Sequence, residues 1–465
     1  MDKKFGNNFT TGSIPRQLLI FSLPILLGNL ITTGYSIINA GWVGNLLGGT
    51  SVGAVAVVFP VMMLLIALIS GGTTASSILI ARSYGSNNNN MIQKVVNNSW
   101  TVGLVVVLLV TLFGFLSSGC ILRIMGTPAE LLKQATSYLQ ISLLGFAFMY
   151  LSNLVVSILR GIGDTTTPMI FMILSTIVNA VLDPLLIAGI GPFPKLGLNG
   201  SAVASLISTA LATISGLLYL KRKYRGLPIN LKRLELDIKM IATIVKLGFP
   251  VFIQMSLISI STAFVVIFVN EFGAKAIAAY GVTSRIDTIA IMPATAVFMG
   301  ISTLTAQNIG ANKFERIKGI FKWGIMLNTA VILTISLLVV VFAGGIMKLF
   351  VNDQKIIDIG ANYLAIVGSS YILFAISFVS NGIINGAGKT NITMLFSFFS
   401  LCVIRVPLAW VLSHTSLGLA GIWIVIAISY ATTTMLSLAY YFSGRWSKHL
   451  DTRCESPERI PVIES

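Results

Sequence analysis

The sequence is poor in charge, in histidine and in cysteine. Only 10% of its 465 residues are charged, against 55% hydrophobic, whereas a soluble globular chain carries about 25% charged residues. That excludes a soluble enzyme. His414 and His449 are the two histidines, and Cys120, Cys402 and Cys454 are scattered without a CxxC pair. A metal centre therefore has few ligands to draw on, and Ser/His/Asp or Cys/His catalysis is disfavoured for the same reason. No GxxxxGK[ST] loop occurs, so the phosphate cradle of a nucleotide-driven pump is missing. No cofactor is expected. Acids are scarce as well: 15 Asp+Glu against 31 Lys+Arg give a net charge of +16. A basic balance often signals a nucleic-acid partner, but such proteins hold their basic residues on a wetted face. The apolar excess leaves too little of one, and the lipid bilayer is the expected partner instead.

What the sequence has in abundance is apolar stretches of membrane length. About 20 apolar residues cross the bilayer core as a helix. By that measure twelve spans are expected, at 17–40, 52–80, 95–118, 134–159, 168–190 and 199–220, then 247–270, 277–305, 318–346, 359–385, 391–413 and 418–443. The first follows Lys3, Lys4 and Arg16 and lacks a short apolar core with a small-residue cleavage site, so it reads as a retained span. Most basic residues fall on one side. They are the N-terminal three, Arg82, Lys94, Arg160, the dense group from Lys221 to Lys246, Lys313 to Lys322, Lys389 and the tail from Arg445 to Arg459. The other side holds Arg123, Lys133, Lys195, Lys275, Lys348 and Lys355. The positive-inside rule makes the richer side cytoplasmic, with both termini inside a cell-membrane protein. Only an even number of spans gives that alternation.

The chain also repeats itself. "FSLPILLGN" around Pro24 matches "KLGFPVFIQ" around Pro250, and "ARSYGSN" ending at Asn87 matches "AQNIGAN" ending at Asn312. "LRGIGDTTTP" from Leu159 matches "INGAGKTNIT" from Ile384, and "LGLNGSA" from Leu196 matches "LGLAGIW" from Leu417. Four matches in order, at shifts of 221 to 226 residues, mark a duplication. Each half has six spans and starts on the same side, so the repeat is parallel, with its axis along the membrane normal. The expected organisation is an N-terminal six-helix lobe (1–220), a basic cytoplasmic linker (221–246), a C-terminal six-helix lobe (247–443) and a polar tail (444–465). The fold class is an all-α polytopic membrane protein.

Taken in order, "NAGWVGNLLGG", "LRGIGDTTTP", "AQNIGAN" and "GLAGIW" resemble the multidrug and toxic compound extrusion family, nearest in pattern to its DNA-damage-inducible-protein branch. The likeness covers nearly the whole chain up to about Gly444. It implies two six-helix bundles facing a central cleft. It also implies efflux of mostly cationic, amphipathic compounds in exchange for protons or sodium ions, by a monomer with small-molecule substrates.

Exchange needs a group that binds ion or substrate on a path open to water, and ionisable side chains within hydrocarbon are the default candidates. Most acids lie in loops or tails; Asp183 and Asp287 remain. Asp287 follows Arg285 near the start of the eighth span and reads as an ion pair at a helix end or as an interlobe contact. Asp183 lies well inside the fifth span, in "STIVNAVLDPLLIAG", with Asn179 one turn earlier on the same face. Pro184 donates no backbone hydrogen bond and frees the carbonyl near Ala180. A carboxylate, an amide and a free carbonyl suit a small hard cation such as Na⁺, and a buried carboxyl can instead carry a proton.

The resemblance adds Pro24, Asn39, Tyr138 and Asn153 to Asn179 and Asp183, with Tyr35, Tyr138, Asn153 and Pro24 on the cleft. Pro24 allows the first span to bend or simply fixes a kink, and the polar residues also suit plain interhelical hydrogen bonds. The family usually has Asp where this chain has Asn39, four residues before Val43, which reduces a two-carboxylate relay to Asp183. Acids known on the seventh and tenth spans of the sodium-coupled branch are absent here, Gln254 standing in the seventh. The C-terminal lobe is therefore expected to supply no carboxylate site. Arg405, beside Pro407, is expected to snorkel to the cytoplasmic interface, the alternative being a pair within the cleft. A flippase of lipid-linked or polyprenyl substrates is the competing function. Such a protein tends to line its cleft with several Arg/Lys, which these spans hardly contain.

Overall fold

The computed structural model describes residues 6–224 and 236–447, apart from the side chain of Ala40. Part of the basic linker (225–235) and most of the tail (448–465), including His449 and Cys454, lie outside the described residues. Within them every regular element is helical. The first half contains α1 (Ile14–Leu47), α2 (Gly49–Gly85), α3 (Asn89–Ile124), α4 (Ala129–Gly161), α5 (Thr166–Ala188) and α6 (Leu198–Lys223). The second half begins with α7 (Ile238–Asn270), α8 (Ala274–Gly310), α9 (Glu315–Val341) and the short α10 (Ala343–Lys348). It continues with α11 (Gln354–Ser369), α12 (Tyr371–Gly386), α13 (Thr390–Phe398), a π-helical stretch Phe399–Arg405, α14 (Val406–Ser413) and α15 (Gly418–Phe442). Among the described residues eleven helical segments are long and apolar enough to cross a membrane, and α11 with α12, bent by 41°, brings the number to twelve when the pair is counted as one span. Large apolar side chains such as Leu112, Phe113 and Leu116 on α3 or Leu337 and Val341 on α9 are exposed. An apolar surface of that extent is that of a chain solvated by lipid.

The duplication is written into backbone geometry as well as sequence. α2 and α8 are both 37 residues long, each preceded by a glycine of positive φ, Gly48 at 78° and Gly273 at 86°. They also end alike. Asn87 and Asn312 are the two non-glycine residues of positive φ among those described, at 54° and 57°, and short Asx side chains tolerate that region best. The turns share one hydrogen-bond pattern: Asn87 N–H donates to the Tyr84 carbonyl and Asn88 N–H to that of Ser83, as Asn312 does to Ile309 and Lys313 to Asn308. The matches read from letters are therefore matches of turn chemistry.

Two compact units form, and they exchange short segments. Among the described residues, the first takes 6–8 and those within Leu27–Gly248, and the second takes Phe9–Leu26 and 249–447. Thus the start of α1, up to just past Pro24, packs in the second unit, and the start of α7, up to just before Pro250, packs in the first. In the first unit α4 lies between α2, α3 and α6, and α5 lies on α6. In the second, α12 plays the central part against α8, α9 and α15. Phe9, Leu18 and Phe21 are buried there among Ile301, Leu304 and Ile317. Asn308 Nδ2 donates to the Phe9 carbonyl (3.2 Å) and Lys313 Nζ to that of Thr10 (2.9 Å).

The start of α7 is held in the first unit by polar contacts on α3. Asp237 pairs with Lys94, its backbone N–H donates to Asn98 Oδ1 (2.8 Å), and its Oδ1 accepts from Met240 N–H (3.0 Å) as a helix cap. The Lys94 ammonium holds the Asp237 carboxyl below the usual carboxylate range. A depressed carboxyl gives stability that is present above its unfolded pKa, about 3.9, and lost as pH falls through the folded value. Asp237→Asn keeps the cap and removes the charge. Its thermal midpoint should therefore lie below that of the parent at neutral pH and converge with it on acidification. A gap that persisted in acid would assign the effect to the cap instead.

Candidate functional site

In the first unit, α1, α5 and α6 meet around a fully buried carboxylate, Asp183. α5 can host it because its remaining faces are aliphatic, in "MILSTIVNAVLDPLLIA", and the helix continues through Pro184 to Ala188. Tyr35 Oη and Asn39 Nδ2, one turn apart on α1, both donate to Asp183 Oδ2. Asn39 Nδ2 also lies 3.0 Å from Tyr35 Oη and 3.1 Å from Ser201 Oγ on α6. The other carboxylate oxygen, Asp183 Oδ1, is buried without a hydrogen-bond partner, and so is Asn179 Oδ1 one turn earlier. Asn179 uses its amide N–H to reach Ser205 Oγ on α6 (3.2 Å). Leaving a buried acceptor unmade costs about 1–3 kcal/mol, and more when it is charged. Two orphan oxygens on one helix face thus mark where a proton or cation would lower the energy.

The other sequence candidates fall around this centre unevenly. Tyr138 on α4 is near enough to interact with the Asp183 charge. Asn153 is exposed and donates to the Met149 carbonyl of its own helix (2.8 Å). It lines, with Tyr35, Thr32, Asn179 and Phe171, a cavity of about 300 Å³. Pro24 lies in the segment of α1 that belongs to the second unit. Ser201 and Ser205 were not singled out from sequence, although Ser201 sits in the repeated "LGLNGSA".

The second unit holds a carboxylate site after all, which corrects the expectation that this lobe has none. Asp287 on α8 accepts from Tyr363 Oη on α11 through Oδ2 and from Tyr371 Oη on α12 through Oδ1. Its expected ion pair with Arg285 does not form. Residues two apart on a helix point to different faces, and Arg285 is exposed while Asp287 turns inward. Arg405 does not snorkel. It is 8% exposed, donates through Nε (2.9 Å) and Nη2 (2.6 Å) to Ser429 Oγ on α15, and lies 5.5 Å from the ring centre of Tyr430. The π-helical stretch that ends at Arg405 inserts an extra residue into the turn and so changes the face that Arg405 occupies; such bulges are frequent at functional sites. Periodicity drawn for an α-helix misses that change. Asp287 and Arg405 line one cavity of about 590 Å³.

The two centres are not copies of one another. At the 225-residue shift of the repeat, Asp183 falls on Leu408 and Asp287 on Met62. The two acids therefore occupy positions that the repeat does not relate.

Comparison with known proteins agrees with this architecture. The sequence model of the MatE family matches residues 24–185 and again 250–411. The chain is 34% identical over 445 residues to Probable multidrug resistance protein YoeA of Bacillus subtilis (strain 168), covering 95% of this chain and 96% of that one. It is 28% identical over 438 residues to Multidrug export protein MepA of Staphylococcus haemolyticus, covering 94% and 95%. Among solved structures, a MOP superfamily transporter from Pyrococcus furiosus superposes with a TM-score of 0.90 at 24% identity, over 97% of this chain and 100% of that one. A point mutant of the Vibrio cholerae MATE transporter VcmN gives 0.88 at 21% identity, over 96% and 100%.

Proposed function

The chain belongs to the MATE family of membrane transporters, and from that premise we propose that it is a secondary active exporter of organic, mostly cationic amphipathic compounds, driven by inward movement of H⁺ or Na⁺. It works as a monomer in the cell membrane, with both termini in the cytoplasm. The observation that carries the reading is Asp183: a buried carboxylate with one oxygen held by Tyr35 and Asn39 and the other without a partner.

The chemistry follows from charge. An ionised carboxylate in hydrocarbon is costly, so a proton or a cation that reaches Asp183 Oδ1 stabilises the site. For Na⁺, which is cargo here, the donors are of the right kind: carboxylate, amide and hydroxyl oxygens suit hard cations, and Asp183, Asn179, Ser201 and Ser205 supply them. The same group attracts a cationic substrate, so ion and substrate compete for one charge and one releases the other. That competition is what exchange requires. Relatives whose names describe multidrug resistance or export support the direction of transport. A flippase of lipid-linked pyrophosphates is less well supported, because Arg405 alone is a guanidinium on the lining of the larger cavity.

Asn39 has a defined part in this scheme. It donates to Oδ2 and cannot ionise, so it fixes the carboxylate without sharing its proton. Asn39→Asp places two carboxylates in hydrogen-bond contact, and such a pair cannot both stay ionised near neutral pH. Efflux by the variant should gain a titration step that the parent lacks, read as initial rates across near-neutral pH at fixed membrane potential. Identical profiles would show that position 39 takes no part. Efflux of a fluorescent cation from vesicles, with pH and sodium gradients imposed separately, tests the function itself.

A further inference from the structure

One face of α5 is polar along almost its whole length. Asp183, Asn179, Thr176, Ser175 and Thr167 recur at helical spacing, and Asp164 follows just before the helix begins. The opposite face belongs to lipid, with Ile170, Leu174, Ile177 and Val181 exposed. Asp183 is five residues from the end of α5 at Ala188, whereas sixteen separate it from Thr167, a rise of about 24 Å. An ion held at Asp183 is therefore close to one membrane face and most of the hydrocarbon away from the other. The cavity of about 300 Å³ in the first unit occupies that interval. Tyr35 and Asn179 bound it beside Asp183, and Pro168 and Phe171 bound it at the far end. Between them it is lined by Thr32, Ser152, Ser175, Thr176, Ser208 and Thr209, all bearing hydroxyls. Such a space holds several water molecules, at about 30 Å³ each. Beyond it the Phe171 and Tyr219 rings meet edge to face, centroids 5.7 Å apart, and Tyr219 Oη lies 3.0 Å from Thr167 Oγ1. Thr167 Oγ1 donates in turn to Asp164 Oδ2 (2.8 Å), which also lies 3.4 Å from Tyr224 Oη and 3.9 Å from Lys223 Nζ.

We infer that this stripe is a cation-release route contained within the first unit, taking H⁺ or Na⁺ from Asp183 past Asn179 and the hydroxyls of the cavity to Asp164, on the face read as cytoplasmic. It rests on the reading of Asp183 as the coupling group and adds where the ion goes next. Hydroxyl and amide oxygens serve either ion, as links in a chain of hydrogen bonds or as replacements for the water around a hard cation. An acid at each end favours a cation along the whole path. The Lys223 ammonium is 53% exposed, so solvent screens its opposing charge. Hydroxyls placed only for packing would bond their own helix and leave no space between neighbours, whereas these surround a common cavity. Asp164 also does more than cap α5. The cap uses Oδ1, which accepts from Thr167 N–H (3.0 Å), while Oδ2 accepts from the hydroxyl that leads back toward the cavity.

Two measurements test the route. The first reads access directly. Thr176→Cys is introduced into the full-length protein together with Cys120→Ser, Cys402→Ser and Cys454→Ser, and its modification is followed by mass. The cationic reagent 2-aminoethyl methanethiosulfonate should react about tenfold faster there than with Ile177→Cys on the lipid face, where apolar surroundings suppress the thiolate. Adding Asp164→Asn, which keeps the α5 cap, should slow the cationic reagent by about tenfold and leave the neutral methyl methanethiosulfonate unchanged. The second measurement reads transport. Ser175→Ala with Thr176→Val should lower ion-driven efflux of a fluorescent cation from vesicles by about tenfold or more. Substrate counterflow without an ion gradient needs no ion release, so it should stay at the parental rate. Equal labelling of positions 176 and 177, equal slowing of both reagents by Asp164→Asn, or an equal loss of efflux and counterflow would each overturn the route. So would parental efflux by the double variant beside an inactive Asp183→Asn. Parental efflux by Asp183→Asn would instead overturn the coupling reading, and the labelling rates would still decide the route.

Discussion

Asp183→Asn should abolish gradient-driven efflux while the protein remains folded and inserted. The substitution is nearly isosteric, and the Asn side-chain carbonyl can still accept from Tyr35 and Asn39, so packing among α1, α5 and α6 survives. What is lost is the charge. Without it neither proton nor sodium ion gains free energy by entering, and nothing links ion movement to substrate release. Coupling between linked sites reaches about 3 kcal/mol, so the initial rate should fall by about 100-fold or more, to the level of vesicles without the protein. The readout is accumulation or release of a fluorescent cation under an imposed pH or sodium gradient, with size-exclusion behaviour and thermal midpoint as controls on folding. Transport at parental rate would remove Asp183 from the mechanism and leave Asp287 as the carboxylate to examine.

Gly200→Ala should be severe for a steric reason. A Cβ at position 200 would lie 2.5 Å from the Leu186 carbonyl oxygen and 2.6 Å from its carbon. Those atoms are backbone and cannot rotate aside, and the Leu186 carbonyl is already engaged by Leu196 N–H (3.0 Å). α5 and α6 must therefore separate, at the level where Ser201 faces Asn39 and Asp183. Overpacking of this kind costs about 1–3 kcal/mol, and the shift also misplaces the hydroxyl beside the carboxylate. A lowered thermal midpoint together with lost efflux is expected. Gly34→Ala is the matched control, since nothing lies within 4 Å of the added methyl. Equal stability of the two variants would show that α5 and α6 can part there without strain.

Much of this molecule was legible in its letters because membranes impose a short list of rules. Span length and the four matched motifs gave helices that the structure reproduces, and Asp183 stood out because an acid in hydrocarbon has few excuses. The second unit was harder for identifiable reasons. Asp287 was read by its neighbour Arg285, although residues two apart do not share a helix face. Arg405 was read as a long charged side chain in an apolar stretch, whereas it is 8% exposed and donates to Ser429 at the end of a π-helical stretch. Tyr363, Tyr371 and Ser429 carry no acidic or basic signal, and only tertiary packing brings them to those two charges. Ser201 was hidden differently, inside a motif noticed for its repetition rather than its hydroxyl.

The exchanged helix starts have a consequence for the handling of the chain. Residues Phe9–Leu26 are packed in the second unit, and α7 up to Gly248 in the first. A chain severed in the 225–235 linker would yield two fragments, each missing a piece of its own core and carrying a piece of the other's. Neither fragment should be a self-sufficient folding unit, and the two should need co-expression to reassemble.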